Sequence, residues 1–198
     1  MSLKTCAWLA VFVTCFIWSG IQPKDYFTWM LEVLPAVLAL VLLGATRSRY
    51  QFTRLVYCLI LVHCLILMVG GHYTYAEVPL FDNLFGMERN NYDKLGHFAQ
   101  GFVPAMVARE ILITQQVVRG KWWLILFILS FCLGFSAFYE LIEWFVAELT
   151  ATGAEAFLGT QGYTWDTQSD MAFALLGAIS ALLLLSAWHD RQLKAEPR

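Results

Sequence analysis

Charged side chains are scarce in this chain. Asp, Glu, Lys and Arg together make up 14% of its 198 residues, whereas 59% of the residues are apolar. A soluble globular domain usually carries about a quarter charged residues. The few charges also stand between long apolar runs, which is typical of proteins that cross a membrane several times. The composition therefore predicts an integral membrane protein without a separate soluble domain.

Several well-known chemical motifs are also missing. The sequence has no C-x-x-C pair, no H-E-x-x-H zinc motif and no phosphatase signature. The formal net charge of −2 gives no reason to expect a nucleic-acid partner. All five cysteines lie inside apolar runs, so we expect neither a disulfide framework nor a zinc knuckle: Cys6, Cys15, Cys58, Cys64 and Cys132.

Six apolar segments are each about long enough to cross a hydrocarbon core of roughly 30 Å. They run approximately over residues 5–21, 26–45, 55–71, 95–114, 122–149 and 171–188. No A-x-A-type cleavage site follows the first segment, so we expect a retained helix rather than a signal peptide. The predicted fold is an all-α, polytopic membrane bundle of about six transmembrane helices, forming a single membrane domain over residues 1–198.

The basic residues predict the orientation of this bundle. With the N-terminus in the cytoplasm, ten basic residues lie on or near the cytoplasmic side and three lie outside, as the positive-inside rule requires. The ten are Lys4, Arg47, Arg49, Arg54, Arg109, Arg119, Lys121, Arg191, Lys194 and Arg198, and the three are Lys24, Arg89 and Lys94. Both termini are therefore predicted to be cytoplasmic, and the acid-rich 72–94 and 150–170 loops to be outside.

Polar residues gather in the second half of the chain, first in "NNYDKLGHFAQGFVPA", residues 90–105. Asp93 and Lys94 begin the fourth segment, and His97 and Gln100 follow within two turns. Pro104 removes a backbone hydrogen bond, which a membrane helix tolerates where it is buried in protein or lines a wet cavity. The alternative is that Asp93 caps the helix, His97 lies at headgroup level and Pro104 serves helix packing.

Two further acids stand in "SAFYELIEWF", residues 136–145. Glu140 and Glu143 are three residues apart and share one helix face. A carboxylate within the bilayer normally faces a bundle interior, a cavity or a partner. The alternative is that both acids extend into outer water, with Tyr139 and Trp144 as aromatic residues of the membrane interface.

The stretch "GTQGYTWDTQSDM", residues 159–171, reads as a loop followed by a helix start. We predict that Gln161 lies in a loop folded over a polar pocket and that Trp165 anchors the end of this loop at the interface. Asp166 would then cap the sixth helix, and Asp170 would face Glu140 or Glu143. The alternative is an ordinary helix cap beside an interface tryptophan.

One topology brings these polar residues to a similar outer depth, which predicts a shared site with His97 in direct or water-bridged contact with Glu140. Imidazole and carboxylate groups together can exchange protons or ligate a divalent metal. The candidate catalytic residues are His97, Glu140 and Asp170. The candidate binding residues are Asp93, Lys94, Gln100, Glu143, Gln161, Trp165 and Asp166. The candidate metal ligands are His97, Glu140, Glu143, Asp166 and Asp170, and no other cofactor is predicted.

Three motifs resemble a known family. "RNNYDKLGHFAQGFVPA", "SAFYELIEW" and "FLGTQG-x-x-WDTQ-x-DM" are similar to the bacterial inner-membrane proteins typified by YjdF, a family of unknown function. The resemblance is most specific from about residue 80 to residue 191, and it implies a multi-pass protein of the bacterial inner membrane. This family commonly has an acid at the position of Tyr163, so the resemblance implies that an acid there is not indispensable.

A shorter and weaker resemblance connects the chain with the VanZ-like membrane proteins. It rests on Asp93, Lys94, His97, Glu140, Asp170 and Gly177. It implies a cell-envelope role connected with glycopeptide or lipid tolerance, without a defined reaction. Neither family supplies a catalytic residue.

Three functions remain open on the sequence. The first is a cell-envelope or lipid-related enzyme that uses the His/Glu/Asp site and takes a lipid or an envelope small molecule from the bilayer. The second is a small-solute or ion transport or binding module, in which the Pro104 break lines the pathway. The third is a structural membrane protein with an interhelical polar network. The chain lacks both an internal repeat and a recognisable nucleophile, and its oligomeric state is not predicted.

Overall fold

The computed structural model describes residues 2–79, 81, 89–150 and 160–195. These residues form six helices and no strand, which confirms the predicted all-helical fold. The helices are α1 (Leu3–Ser19), α2 (Tyr26–Thr46), α3 (Arg54–Tyr73), α4 (Tyr92–Thr114), α5 (Lys121–Thr150) and α6 (Asp166–Ala195). Parts of the two acid-rich loops, residues 82–88 and 151–159, lie outside the described residues, and with them Asp82, Glu88 and Glu155.

Side chains just before three helices fix where they begin. The hydroxyl oxygens of Ser2 and Thr53 accept from backbone N–H groups at the starts of α1 and α3. The Asp25 carboxylate accepts from the Thr28 N–H, 2.6 Å away, at the start of α2. Each cap satisfies one of the N–H groups that a helix start leaves without a partner.

Four helices are long and apolar enough to cross a membrane, namely α2, α3, α5 and α6. Helix α1 is apolar but shorter, with 17 residues. Helix α4 carries many polar residues, and most of them are buried against other helices. Since α4 packs against α3, α5 and α6, its surface does not need to be apolar throughout. The number of six spans and the cytoplasmic position of the termini stay predictions.

Among the described residues, α4 and α6 make the closest helix contact. A Cβ atom added at Gly101 of α4 would overlap the carbonyl group of Ala174, and one added at Gly177 of α6 would overlap the carbonyl group of Phe98. The two glycines therefore let the backbones touch, which is how small residues act between membrane helices. This contact fixes the polar residues of α4 against those of α6.

Helix α2 packs its backbone closely against α3, touches α1 through Trp29, and meets α5 through the 3.5 Å contact of Glu32 with Tyr139. Helix α5 packs against α4 and α6. A cleft is therefore left between α2 and α5, with α3 and α4 as its floor. Helix α4 remains helical through Pro104, which lines this cleft.

Candidate functional site

A group of eight charged or titratable residues, called the cleft cluster below, gathers where α4, α5 and α6 meet. Its members are Arg89, Asp93, Lys94, His97, Glu140, Glu143, Asp166 and Asp170. The seven from α4, α5 and α6 are all buried. The structure thus brings the sequence-predicted acids, His97 and Lys94 into one region of the molecule.

Two cations hold three of the carboxylates of the cleft cluster. Lys94 Nζ lies 2.7 Å from Asp166 Oδ1, 2.5 Å from Asp170 Oδ1 and 3.6 Å from Asp93 Oδ2. Arg89 Nη1 lies 2.6 Å from Asp166 Oδ1, and its Nη2 lies 3.0 Å from Asp93 Oδ2. The predicted capping role of Asp166 was wrong, because its carboxylate is directed at these two cations across the helix interface rather than at the N–H groups of α6.

His97 lies between acids from three helices. Its Nε2 is 3.3 Å from Asp93 Oδ1 and 3.9 Å from Asp170 Oδ1. Its Nδ1 is 3.0 Å from Gln100 Oε1 and 3.8 Å from Glu140 Oε1. The predicted proximity of His97 and Glu140 is therefore present, at ion-pair rather than hydrogen-bond distance. An imidazole with carboxylates on both sides can take up or release a proton at either nitrogen.

The two glutamates of α5 are the least satisfied acids of the cleft cluster. Glu140 Oε1 is buried and has no hydrogen-bond partner among the described residues. Glu143, which is 7% exposed, also accepts no hydrogen bond from this part of the chain. Asp170 was predicted to face one of these glutamates, but its nearest contacts are Lys94 and His97. His97 instead separates Asp170 from Glu140.

The loop before α6 is tied to the start of α4. Tyr163 N donates to Thr160 O at 2.8 Å, and Gln161 and Gly162 have φ values of 45° and 79°. Positive φ at both central residues is the signature of a type I′ turn. The Gln161 side chain accepts from Asn90 N and donates to Asn90 O, both at 3.0 Å.

Tyr163 and Trp165 complete this loop. The Tyr163 ring lies 5.6 Å from the guanidinium carbon of Arg89 and 5.8 Å from Lys94 Nζ, within reach of cation–π attraction. Described residues of the predicted loop thus cover the cations of the cleft cluster. Trp165 is 63% exposed, which suits an interface residue, and its role as a membrane anchor stays a prediction.

The metal-ligand set predicted from the sequence is only partly assembled. Among the residues that the structure describes, one group of three offers ligand atoms within 4.8 Å of one another, namely Asp93, His97 and Asp170. The Lys94 ammonium already contacts Asp170 at 2.5 Å and lies near Asp93. A divalent metal would have to displace this ammonium, so the donor set fits an internal lysine better than a metal ion.

A cavity of about 630 Å³ fills the cleft between α2 and α5. At one end, polar side chains from three helices and from the segment after α3 line it: Glu32, Tyr75, Asp93, His97, Gln100, Tyr139 and Glu143. From there the lining is almost entirely apolar down to Thr46 of α2. The fourteen residue steps from Glu32 to Thr46 span about 21 Å at 1.5 Å per residue.

Four residues at the cleft were missed by the sequence analysis. Glu32 accepts a long hydrogen bond of 3.5 Å from the Tyr139 hydroxyl group. His63 Nε2 is buried without a partner among the described residues. A single acid or histidine in an otherwise apolar helix was the available signal for these two, whereas Tyr139 was considered only as an interface residue.

Tyr75 gave no signal in the sequence. Its backbone is left-handed, with φ +55°, and its N–H donates to Gly70 O at 2.8 Å. This conformation directs the ring into a notch that the absent side chains of Gly70 and Gly96 leave open. Burial raises the pKa of the Tyr75 hydroxyl well above its ordinary value of 10.0, so the group stays protonated at the polar end of the cleft.

A second buried group, called the closed network below, lies at the opposite end of the α4–α6 pair. Its members are Thr53, Arg109, Glu110 and His189. Glu110 Oε1 accepts from Thr53 N at 2.8 Å, and Glu110 Oε2 lies 2.6 Å from Thr53 Oγ1 and 2.8 Å from His189 Nε2. Arg109 contacts His189 Nδ1 at 2.9 Å and Asp190 at 2.6 Å. None of the four members lines the cleft.

The sequence is similar to known membrane proteins. A family model described as "Predicted membrane protein (DUF2238)" matches residues 4–191. The chain is 51% identical over 181 residues to the inner membrane protein YjdF of Escherichia coli (strain K12), covering 90% of this chain and 87% of that protein. No solved structure matches the chain at a significant level.

Proposed function

The chain belongs to the DUF2238 family of predicted membrane proteins, and we propose that it binds an amphipathic, lipid-like molecule in the cleft between α2 and α5. Its relative in Escherichia coli is an inner membrane protein, and the long apolar helices place this chain in a bilayer too. The polar end of the cleft would hold the headgroup, and the apolar part would hold a hydrocarbon chain.

The shape and lining of the cleft carry this proposal. Its volume of about 630 Å³ lies within the 300–1,000 Å³ that is usual for small-molecule sites. The cleft is an apolar channel of about 21 Å with polar groups at one end. An amphipathic molecule has the same arrangement, with a polar headgroup at one end of an apolar chain. A small hydrophilic solute would leave most of this apolar surface without a partner.

The cleft also opens toward the surrounding lipid. Leu38 of α2 and Phe138 of α5 both line it, and they are 52% and 60% exposed. Since the backbones of α2 and α5 do not approach closely and the two helices meet through the Glu32–Tyr139 contact at the polar end, a molecule can enter between their apolar parts from the side. A lipid-like molecule that takes this path does not have to leave the bilayer.

His97 supplies an acid–base group at the polar end. It lines the cleft, and each of its ring nitrogens faces a carboxylate of the cleft cluster. A headgroup held there would meet a group that can donate or accept a proton. This arrangement favours a cell-envelope or lipid-related enzyme over a purely structural protein, since packing alone does not require an open cleft beside unsatisfied acids.

Filling the middle of the cleft tests this proposal. Ala39 lines the apolar part of the cleft, so Ala39→Trp should block binding of a hydrocarbon chain without touching the polar end. The measurement is photo-crosslinking of the purified protein with a photoactivatable fatty alcohol, competed by excess unlabelled fatty alcohol. We expect saturable labelling that falls at least tenfold in Ala39→Trp.

Ala45 provides the matched control. It lies on the same helix, is exposed and does not line the cleft, so Ala45→Trp should label like the unaltered protein. Equal saturable labelling of both variants, or labelling that excess fatty alcohol does not reduce, would contradict the proposal.

A further inference from the structure

Acidic side chains outnumber basic ones at the polar end of the cleft. Three carboxylates line it, from Glu32, Asp93 and Glu143, together with the imidazoles of His63 and His97. Neither Lys nor Arg occurs in its described lining. Carboxylates that face one small volume repel one another, and a cation placed between them relieves this repulsion.

The nearby cations pair with one of the three lining carboxylates, Asp93, and with Asp166 and Asp170 of α6. Lys94 is turned toward Asp166 and Asp170, at 2.7 and 2.5 Å, on the α6 side of α4. Arg89 contacts Asp166 and Asp93, at 2.6 and 3.0 Å. Both cations are therefore already paired with carboxylates of the cleft cluster. An anion in the cleft would face acidic side chains rather than these cations.

Two of the lining carboxylates have acceptor capacity to offer. Glu143 is more than nine-tenths buried, lines the cavity and accepts no hydrogen bond from any described residue. Among the described residues, Glu32 accepts only the long 3.5 Å hydrogen bond from the Tyr139 hydroxyl group. A carboxylate offers about four lone-pair sites for hydrogen bonds, and a carboxylate among apolar helices is stabilised by donors or by a positive charge. A ligand could supply these missing hydrogen-bond donors.

From this charge and hydrogen-bond pattern we propose that the cleft selects an amphipathic molecule with a positively charged amine headgroup. The ammonium would donate to Glu143 and Glu32, with its hydrocarbon chain in the apolar part of the cleft. This inference rests on the proposed function and adds the chemical class of the headgroup. A phosphate or carboxylate headgroup would place like charges together at the same point.

The test compares three competitors that share one chain. The purified protein in nanodiscs of zwitterionic lipid is labelled with the photoactivatable fatty alcohol in the presence of hexadecylamine, hexadecanol or hexadecanoate. We expect hexadecylamine to compete at least tenfold more effectively than hexadecanol, and hexadecanoate to compete least. Glu143→Gln should reduce the advantage of the amine over hexadecanol at least fivefold.

Glu148→Gln is the matched control for this variant. Glu148 lies on the same helix, is exposed and does not line the cleft, so this change should leave the advantage of the amine intact. An alcohol or carboxylate that competes as well as the amine would overturn the headgroup assignment while leaving the lipid-like site in place. If none of the three competes, the proposed function itself fails. If Glu143→Gln does not fold, Glu32→Gln provides the same comparison from α2.

Discussion

The cleft cluster and the closed network are built from the same kinds of residue but differ in hydrogen-bond saturation. In the closed network, both oxygens of Glu110 accept hydrogen bonds, and His189 uses both ring nitrogens. In the cleft cluster, Glu140 Oε1 is buried and has no hydrogen-bond partner among the described residues. A fully satisfied buried network rigidifies a fold, whereas an unsatisfied one is costly unless something else supplies the contacts.

The position of each group in the bundle agrees with this difference. The closed network joins Thr53, just before α3, to α4 and α6, and Glu110 and His189 are completely buried. The cleft cluster joins α4, α5 and α6 beside a cavity. We therefore infer that burial of charge within a membrane bundle does not by itself mark a functional site. Charge that remains unsatisfied next to a cavity is the better indicator.

The largest expected effect is the loss of Glu110. Glu110→Ala would leave the Thr53 N–H and His189 without their acceptor, and removing one partner of a buried charged pair costs about 3–5 kcal/mol. We expect the free energy of unfolding, measured by denaturant titration in detergent, to fall by about this amount. Glu148→Ala, at an exposed position of α5, should change it by less than about 0.5 kcal/mol. Equal unfolding of the two variants would show that the closed network does not stabilise the fold.

An intermediate effect is expected when two acids of the cleft cluster are changed together. Asp170 and Glu140 both approach His97, at 3.9 and 3.8 Å, so removal of one charge changes what the other contributes. The combined cost of Asp170→Asn and Glu140→Gln, as unfolding free energy, should be less than the sum of the single costs by about 0.5–3 kcal/mol.

Glu148→Gln combined with Asp170→Asn is the control pair for this cycle, and its effects should add. Additive effects for Asp170 and Glu140 as well would mean that the two acids act separately. His97 would then not link α5 to α6.

The smallest effect concerns an ion pair outside both groups. Lys24 Nζ lies 2.6 Å from Glu77 Oε2, and both side chains are 54% exposed. The hydrogen bond and the charge of Glu77 raise the pKa of Lys24 above its ordinary value of 10.5. The stabilisation is therefore present below pH 10.5 and is lost as the pH rises through the raised value.

Thermal unfolding across this alkaline range, compared between the unaltered protein and Lys24→Ala, measures that contribution. We expect a small difference that vanishes at the highest pH, because exposed pairs are screened by solvent. If Lys24→Ala lowered the stability of the folded protein as much as Glu110→Ala does, exposed charge would contribute as much as buried charge and the comparison would fail.

The sequence by itself determined the membrane class and much of the candidate cluster. Long apolar runs separated by sparse charges can form a stable structure only as membrane helices, because backbone polar groups need partners within each helix. Acids and a histidine inside such runs are costly, so their helical spacing already indicated a shared interior position for His97, Glu140 and Asp170. The same reasoning could have included Glu32 and His189.

Only the tertiary structure decided which of these polar groups meet and which remain open. Helix contact order is not encoded in periodicity, since each amphipathic face fits several neighbours. The contact at Gly101 and Gly177 packs α4 against α6. This pairing places the Asp166 carboxylate beside Lys94 and Arg89 rather than beside the N–H groups of its own helix. The cleft exists because the α2 backbone packs on α3 and stays apart from α5. Such a gap depends on side chains far apart in the chain, so no local pattern in the sequence reports it.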